Sequence, residues 1–362
     1  MKKVVLSGYY GFNNIGDEAV LASIIQSLQK EIPDVIITVL SNEPVKTEKQ
    51  YGVKSVNRWR LEQIITVLRD CDLFISGGGS LLQDVTGKKS ILYYLALIYL
   101  ARMWKKPVMI YAQGIGPVMR PWARKLMGRV LNKVDLITVR DEASRDDLTA
   151  VGVSHPPLVV TVDPVMGWEE PQGKMLPEGL QNLNWDEEKF IGISLRHWPG
   201  LNTAELADLC DHLVRQKLNV IFLPFHFPGD ISVCRDVAKL MKEESYLVKD
   251  NLSPAEMMNV VGKMHLVIGM RLHALIMAGA QGVPFVSISY DPKVERYAKL
   301  MDQITACSVE TMSCSDLRMS VEQILSDYSL IKENLQKKAE ACRIKAQETA
   351  KLAGKLINNN CN

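Results

Sequence analysis

Residues 267–293 read VIGMRLHALIMAGAQGVPFVSISYDPK, and the parsing of this stretch decides the fold. An apolar run at 266–268 has the character of a buried strand, Arg271, Leu272 and His273 follow at once, and a helix of small residues begins. A second strand at 284–288 runs into Tyr290, Asp291, Pro292 and Lys293. Successive strands of a parallel sheet release their ends on one edge, and open α/β sheets bind ligands along that edge. The stretch therefore predicts a βαβ unit that brings Arg271, His273 and Lys293 together.

The same alternation extends outward. Strand-like runs at 4–7, 35–40, 73–76, 108–112, 136–139 and 158–162 are separated by helical segments, which predicts a doubly wound sheet of about six strands. Residues 167–187 lose this periodicity and are rich in Pro, Gly, Glu and Asn, as linkers are. Alternation resumes at 190–195, 220–224 and 246–248 and leads into the opening stretch; after Ser315 two helical segments close the chain. The expected organisation is an N-terminal Rossmann-like domain over 1–166, a linker over 167–187, a C-terminal Rossmann-like domain over 188–314 and C-terminal helices over 315–362. Two doubly wound α/β domains facing across a cleft make the GT-B architecture.

A chain of 362 residues exceeds one ordinary core, in keeping with two domains. Its 47% hydrophobic and 23% charged residues exclude a disordered chain, and a net charge of +2 argues against a nucleic-acid partner. Seven scattered cysteines without a CxxC pair argue against a disulfide framework or zinc site, and no His/Cys/Asp spacing resembles a metal ligand set. Gly8, Asn13, Asn14 and Asp17 interrupt the first strand too early for a signal peptide, so a cytoplasmic protein is expected. The most apolar segment, 91–104, carries Arg102 and is shorter than the ~20 residues of a membrane span.

Three glycine-bearing loops follow strands of the first half: GYYGFNNIGDE at 8–18, GGGS at 77–80 with Gln83 and Asp84 beyond, and QGIGP at 113–117. Glycines allow close approach to a ligand and helix N-termini favour anions, so Asn14, Asp17, Gly78, Gly79 and Gln83 are candidate binding residues. Asp17 has the alternative reading of a helix N-cap. Arg140 and Asp141 suit either ligand binding or an ion pair. In the second half Arg196 follows a strand at the expected ligand edge, and His226 between two phenylalanines is a minor candidate. For Arg271 and His273 the bland reading is an Arg with an Asp partner and a His filling a helix cap; the sharper one is an anion clamp and a proton donor.

GYYGFNNIGDEAVL, SGGGSLLQD, AQGIGPV, VRDEAS and GMRLHALIMAGAQGVPFVSISYDPKV together resemble the polysaccharide pyruvyl transferase family, specifically its bacterial cell-wall branch, the CsaB type, over about residues 1–330. The resemblance implies a GT-B enzyme that transfers pyruvate from phosphoenolpyruvate to two hydroxyls of a sugar as a cyclic ketal and releases phosphate. For the CsaB type the acceptor is N-acetylmannosamine, at its 4 and 6 hydroxyls, in a lipid-linked secondary cell-wall precursor, and S-layer homology domains recognise the product. Phosphoenolpyruvate is a co-substrate; no cofactor or metal is expected. The residues suit this chemistry: Arg271, Lys293, Arg196 and Arg140 offer cations for its carboxylate and phosphate, His273 is the expected acid with Leu272 between it and Arg271, and Asp17 is an alternative base.

A basic helix at 120–133, with Lys105 and Lys106 before it, reads either as a solvated face or as a membrane-docking face for a lipid-linked substrate. The competing function classes are a GT-B nucleotide-sugar glycosyltransferase and a non-catalytic sugar-binding module.

Overall fold

Short runs of Val, Ile, Leu and Phe, each followed by a loop and a helix, build two parallel sheets whose strands are buried on both faces. The computed structural model describes residues 1–85, 87–169 and 176–359. Contacts divide the chain into two compact units: residues 1–12, 17–168 and 342–362 in the first, 13–16 and 169–341 in the second.

In the first unit the order is β1 (Lys3–Ser7), α1 (Ile15–Glu31), β2 (Ile36–Ser41), α2 (Pro44–Tyr51), β3 (Lys54–Asn57), α3 (Leu61–Asp70), β4 (Leu73–Ser76), α4 (Lys88–Met103), β5 (Val108–Gln113), α5 (Pro121–Leu131), β6 (Leu136–Val139), α6 (Glu142–Ala150) and β7 (Leu158–Val160). Among the described residues its sheet has seven strands in the order β3-β2-β1-β4-β5-β6-β7. The order reverses between β1 and β4, so the glycine loops after these two strands stand at the topological switch point, where such sheets place ligands. Phe74, Leu82, Ile98, Ile110 and Leu131, all without exposed surface, fill the core on one face. Each contributes about 1.5–3 kcal/mol by leaving water.

The second unit contains β8 (Lys189–Ser194), α7 (Thr203–Arg215), β9 (Leu218–Phe222), α8 (Gly229–Leu240), β10 (Tyr246–Leu247), α9 (Pro254–Gly262), β11 (Leu266–Gly269), α10 (Leu272–Ala280), β12 (Phe285–Ser289), α11 (Pro292–Leu300), β13 (Ile304–Ser308), α12 (Cys314–Ser326) and α13 (Tyr328–Asn359). Its sheet order is β10-β9-β8-β11-β12-β13, the same doubly wound pattern, with the reversal between β8 and β11. Local chemistry sets the helix starts: Ser253 and Glu256 form a reciprocal capping box on α9, and Asn202 accepts from the amides of Ala204 and Glu205 at the start of α7.

This is the pair of doubly wound α/β domains expected from the alternation. Some boundaries differ. β3, β13 and α2 lie outside the expected elements. The C-terminal helices expected over 315–362 do not form a unit of their own: α12 and α13 up to Ala341 cluster with the second unit, whereas residues from Cys342 cluster with the first, where Gly167 gives room to Ala346 and Gly354 to Glu31. Of the linker expected over 167–187, residues 170–175 lie outside the described residues, as does Cys361.

Candidate active site

β8, β11 and β12 are neighbours in the second sheet, and each releases a cation beyond its carboxyl end: Arg196, Arg271 and Lys293. They are held in different ways. Arg271 clamps the buried Asp230 of α8 with two bonds, Nε to Oδ2 at 2.9 Å and Nη2 to Oδ1 at 2.5 Å. Asp230 also accepts from the amides of Phe225 and His226, so one carboxylate positions both the arginine and the loop after β9. Lys293 donates to Oδ2 of Asp291, which caps α11. Arg196 has no carboxylate partner among the described residues; its guanidinium lies 5.0 Å from the Trp198 ring and 4.6 Å from Tyr290. Lys293 approaches the same Tyr290 ring at 5.4 Å, so one aromatic side chain supports two cations. Three cations against two carboxylates leave this edge positive.

His273, half-buried, sits in the first turn of α10, with the buried Leu272 before it. Residues 13–16 belong to this unit: Phe227 N donates to Asn13 O, Ile15 N to Phe225 O, and Asn14 bridges His226. Gly16 then abuts His273, and a Cβ there would stand 2.5 Å from the imidazole Cγ. Asn14 spends its Oδ1 on Gly16 N. The bland reading of Arg271 is therefore half true: it has an Asp partner, and one edge of its guanidinium is committed to it.

In the first unit the glycine loops are filled largely from within. Tyr10, fully buried, occupies the space that Gly8 and Gly77 leave, and burial pushes its phenol well above the usual tyrosine range. Gly78 faces Val20 and Pro164. Gly79 has φ +87°, and Asp17 Oδ1 lies 3.1 Å from where its Cβ would be. Asp17 thus stands inside the first turn of α1, beside the switch point, and not at the N-cap. Glu18, next to it, accepts from Gly11 N and Tyr51 Oη; burial nevertheless raises its carboxyl above the usual range. Gln83 Oε1 accepts from Val85 N. Arg140 is 7% exposed, lies 3.6 Å from Asp141 and 3.5 Å from Asp163, and donates to Ser80, so its ion-pair reading has direct structural support. Among the described residues no cluster of His, Cys, Asp or Glu could hold a metal ion.

Sequence reasoning missed Asp230 and passed over Tyr290. The signal for Asp230 was an acid opening a helix after a strand ending in FHFPG, which by itself reads as a helix cap.

A model of the family described as polysaccharide pyruvyl transferase matches residues 14–292, most of the chain. The chain belongs to this family. Amylovoran biosynthesis protein AmsJ of Erwinia amylovora is 22% identical to it over 407 residues, with 94% of this chain and 96% of that protein covered. Among solved structures, UDP-GlcNAc 2-epimerase from Neisseria meningitidis bound to UDP-GlcNAc superposes with a TM-score of 0.66 at 15% identity, covering 96% of this chain and 98% of that one. Anabaena HepE in complex with UDP-glucose does so with a TM-score of 0.65 at 11% identity, covering 99% and 100%. At these identities the likeness speaks for the fold alone. Family membership makes the pyruvyl transferase chain a transferase of polysaccharide biosynthesis.

Proposed function

We propose that this transferase is of the CsaB type and moves pyruvate from phosphoenolpyruvate onto the 4 and 6 hydroxyls of an N-acetylmannosamine residue in a lipid-linked glycan. The observation that carries the reading is the set of three cations, Arg196, Arg271 and Lys293, released by three adjacent strands beside His273. A small trianion needs several cations converging within a few ångströms, whereas a nucleoside needs a base and ribose pocket.

His273 gives a proton to the methylene carbon of phosphoenolpyruvate, and positive charge develops at C2. One sugar hydroxyl attacks C2 and loses its proton. The C2–O bond to phosphate then breaks, phosphate leaves, and the second hydroxyl attacks C2 to close the ketal. The proton of one hydroxyl balances the one taken up by the new methyl group; the other leaves with phosphate. Arg271 and Lys293, with Arg196, hold the carboxylate and phosphate, and Asp17 with Asn14 and Gln83 attends the sugar. The test is phosphate release from phosphoenolpyruvate with and without an N-acetylmannosamine glycoside. Release that requires the glycoside and is lost in His273→Ala supports the reading; stabilisation by UDP-sugars without such release favours a glycosyltransferase, and glycoside binding with no release a binding module.

A lipid-linked acceptor calls for a membrane contact on the cytoplasmic side, and the first unit carries a suitable face. No Asp or Glu occurs between residues 85 and 134, against ten Lys and Arg. On α4 Leu92, Tyr99 and Met103 form an exposed apolar stripe, and the adjacent α5 exposes Trp122 and its cations. Each cation near an anionic bilayer adds about 1 kcal/mol. No helix among the described residues is long and apolar enough to cross a membrane. Cosedimentation with phosphatidylglycerol vesicles that weakens with salt is the expected result; indifference to anionic lipid refutes the contact.

A further inference from the structure

β3, β2 and β1 are neighbours in the first sheet, and the residues just beyond their carboxyl ends assemble an aromatic cluster around a buried cation. Arg58, after β3, is 3% exposed. Its Nη1 donates to Gly8 O at 2.7 Å and Nη2 to Tyr94 Oη at 3.2 Å, while Nε has no hydrogen-bond partner. Among the described residues no carboxylate lies within ion-pair distance. The charge is instead faced by rings: Tyr93 at 4.6 Å, Phe12 and Trp59 at 5.1 Å each, Tyr94 at 5.7 Å. Burying a guanidinium without a counterion costs several kcal/mol, which cation–π contacts offset only in part. A fold that keeps such a group at its ligand edge gains the fixed orientation of the rings around it.

That orientation is specific. Phe12 and Tyr9 stack at 4.1 Å with an interplanar angle of 8°, so guanidinium, Phe12 and Tyr9 are associated in one assembly and Tyr9 remains 38% exposed. Trp59 is 63% exposed, yet its Nε1 donates to Asn42 Oδ1 at 3.0 Å and its backbone amide to Asn57 Oδ1 at 2.9 Å. Asn42, after β2, keeps its two amide hydrogens for another acceptor. Single exposed aromatics are ordinary on protein surfaces. Ordered rings with an amide beside them, at the carboxyl ends of three adjacent strands, have the make-up of a ligand site: apolar faces with a few placed polar groups.

We propose that Tyr9, Phe12 and Trp59 form a stacking ledge for a pyranose ring of the acceptor glycan, with Arg58 as the positioning residue and Asn42 as a hydrogen-bond donor to a ring substituent. The inference rests on the pyruvyl transfer reading for the identity of the glycan as acceptor, not for the existence of the ledge. A pyranose presents an apolar C–H face and a hydroxyl rim, which match a ring face and an adjacent amide; a nucleotide phosphate would be poorly served, since the one cation here is buried.

The test uses the full chain and an N-acetylmannosamine glycoside as the probe, read by calorimetry without phosphoenolpyruvate and by steady-state phosphate release with it. Trp59→Ala and Tyr9→Ala, both at exposed positions, should each weaken glycoside binding and raise its KM by about tenfold, equivalent to about 1.4 kcal/mol. The KM for phosphoenolpyruvate and the melting temperature should not follow. Trp59→Phe, which keeps a ring but loses the tether to Asn42, should fall between. If both alanine variants bind the glycoside like the wild type while transfer proceeds, the ledge is refuted and the activity stands. If the wild type binds the glycoside, Trp59→Ala loses it, and no phosphate is ever released, the ledge stands and the transferase reading fails.

Discussion

Gly16→Ala is the substitution whose effect the structure specifies most sharply. Gly16 is the second residue of α1, where replacing glycine by alanine ordinarily stabilises a helix by about 0.5–1 kcal/mol. Here the new Cβ would stand 2.5 Å from Cγ of His273 and 2.7 Å from its Cβ. Unstrained carbon pairs need about 3.5 Å, so the imidazole and the start of α10 must separate from Gly16 by about 1 Å. Overpacking of this kind costs about 1–3 kcal/mol, which reverses the sign of the helix-propensity effect. A displacement of about 1 Å in a catalytic group costs about 100-fold in rate, so the turnover number for phosphate release should drop by that order. Gly179, where a Cβ meets nothing within 4 Å, supplies the control: Gly179→Ala should leave stability and turnover unchanged. Stopped phosphate-release assays and thermal melts on both variants check this. Wild-type turnover in Gly16→Ala with an unchanged melt would refute the placement of His273 against residues 13–16. Wild-type turnover with a lowered melt would refute its role as the acid.

Asp230→Asn removes the charge that holds Arg271, and breaking one side of a buried pair costs about 3–5 kcal/mol, here towards the lower end because the amide oxygen can still accept from Phe225 and His226; a loss under about 1 kcal/mol in urea unfolding counts against a clamp. The same variant should raise the KM for phosphoenolpyruvate, since Arg271 loses its fixed direction. His265, stacked on Tyr328 at 4.0 Å, is lowered to about 4 by burial first and by Lys189 and Lys332 next. Its folded value lies below the unfolded 6.5, so the unfolded chain takes up the proton first and stability is lost as pH falls from 6.5 towards 4. His265→Phe should flatten the fall in melting temperature across that window; parallel curves for the two proteins would show that His265 does not cause it.

The doubly wound pattern was legible because buried parallel strands need apolar runs on both faces, as in LFIS at β4 or FVSIS at β12. β3 escaped because KSVN is an edge strand in which no residue is fully buried, so its composition is that of a loop; β13, ITACS, is half-exposed throughout for the same reason. The cations and His273 could be placed because they directly follow strands. Their partners could not, since Asp230 reaches Arg271 across 41 residues and Arg58 reaches Gly8 across 50, and pairings at such separations arise only from the folded sheet. Glycine was the misleading signal. The loops look like cradles for a ligand, whereas Tyr10, Val20 and Arg140 fill much of that space.

Tyr10 between Gly8 and Gly77 also constrains the order in which this sequence can change. A side chain at either glycine collides with the phenol, so Tyr10 must first become smaller before any substitution at position 8 or 77 is tolerated. Tyr10→Ala, conversely, opens a ring-sized void whose walls are those two glycines and Ser7. The three positions thus behave as one hereditary character: a loop that has lost Tyr10 is free to drift at its glycines, and a loop that keeps it is not.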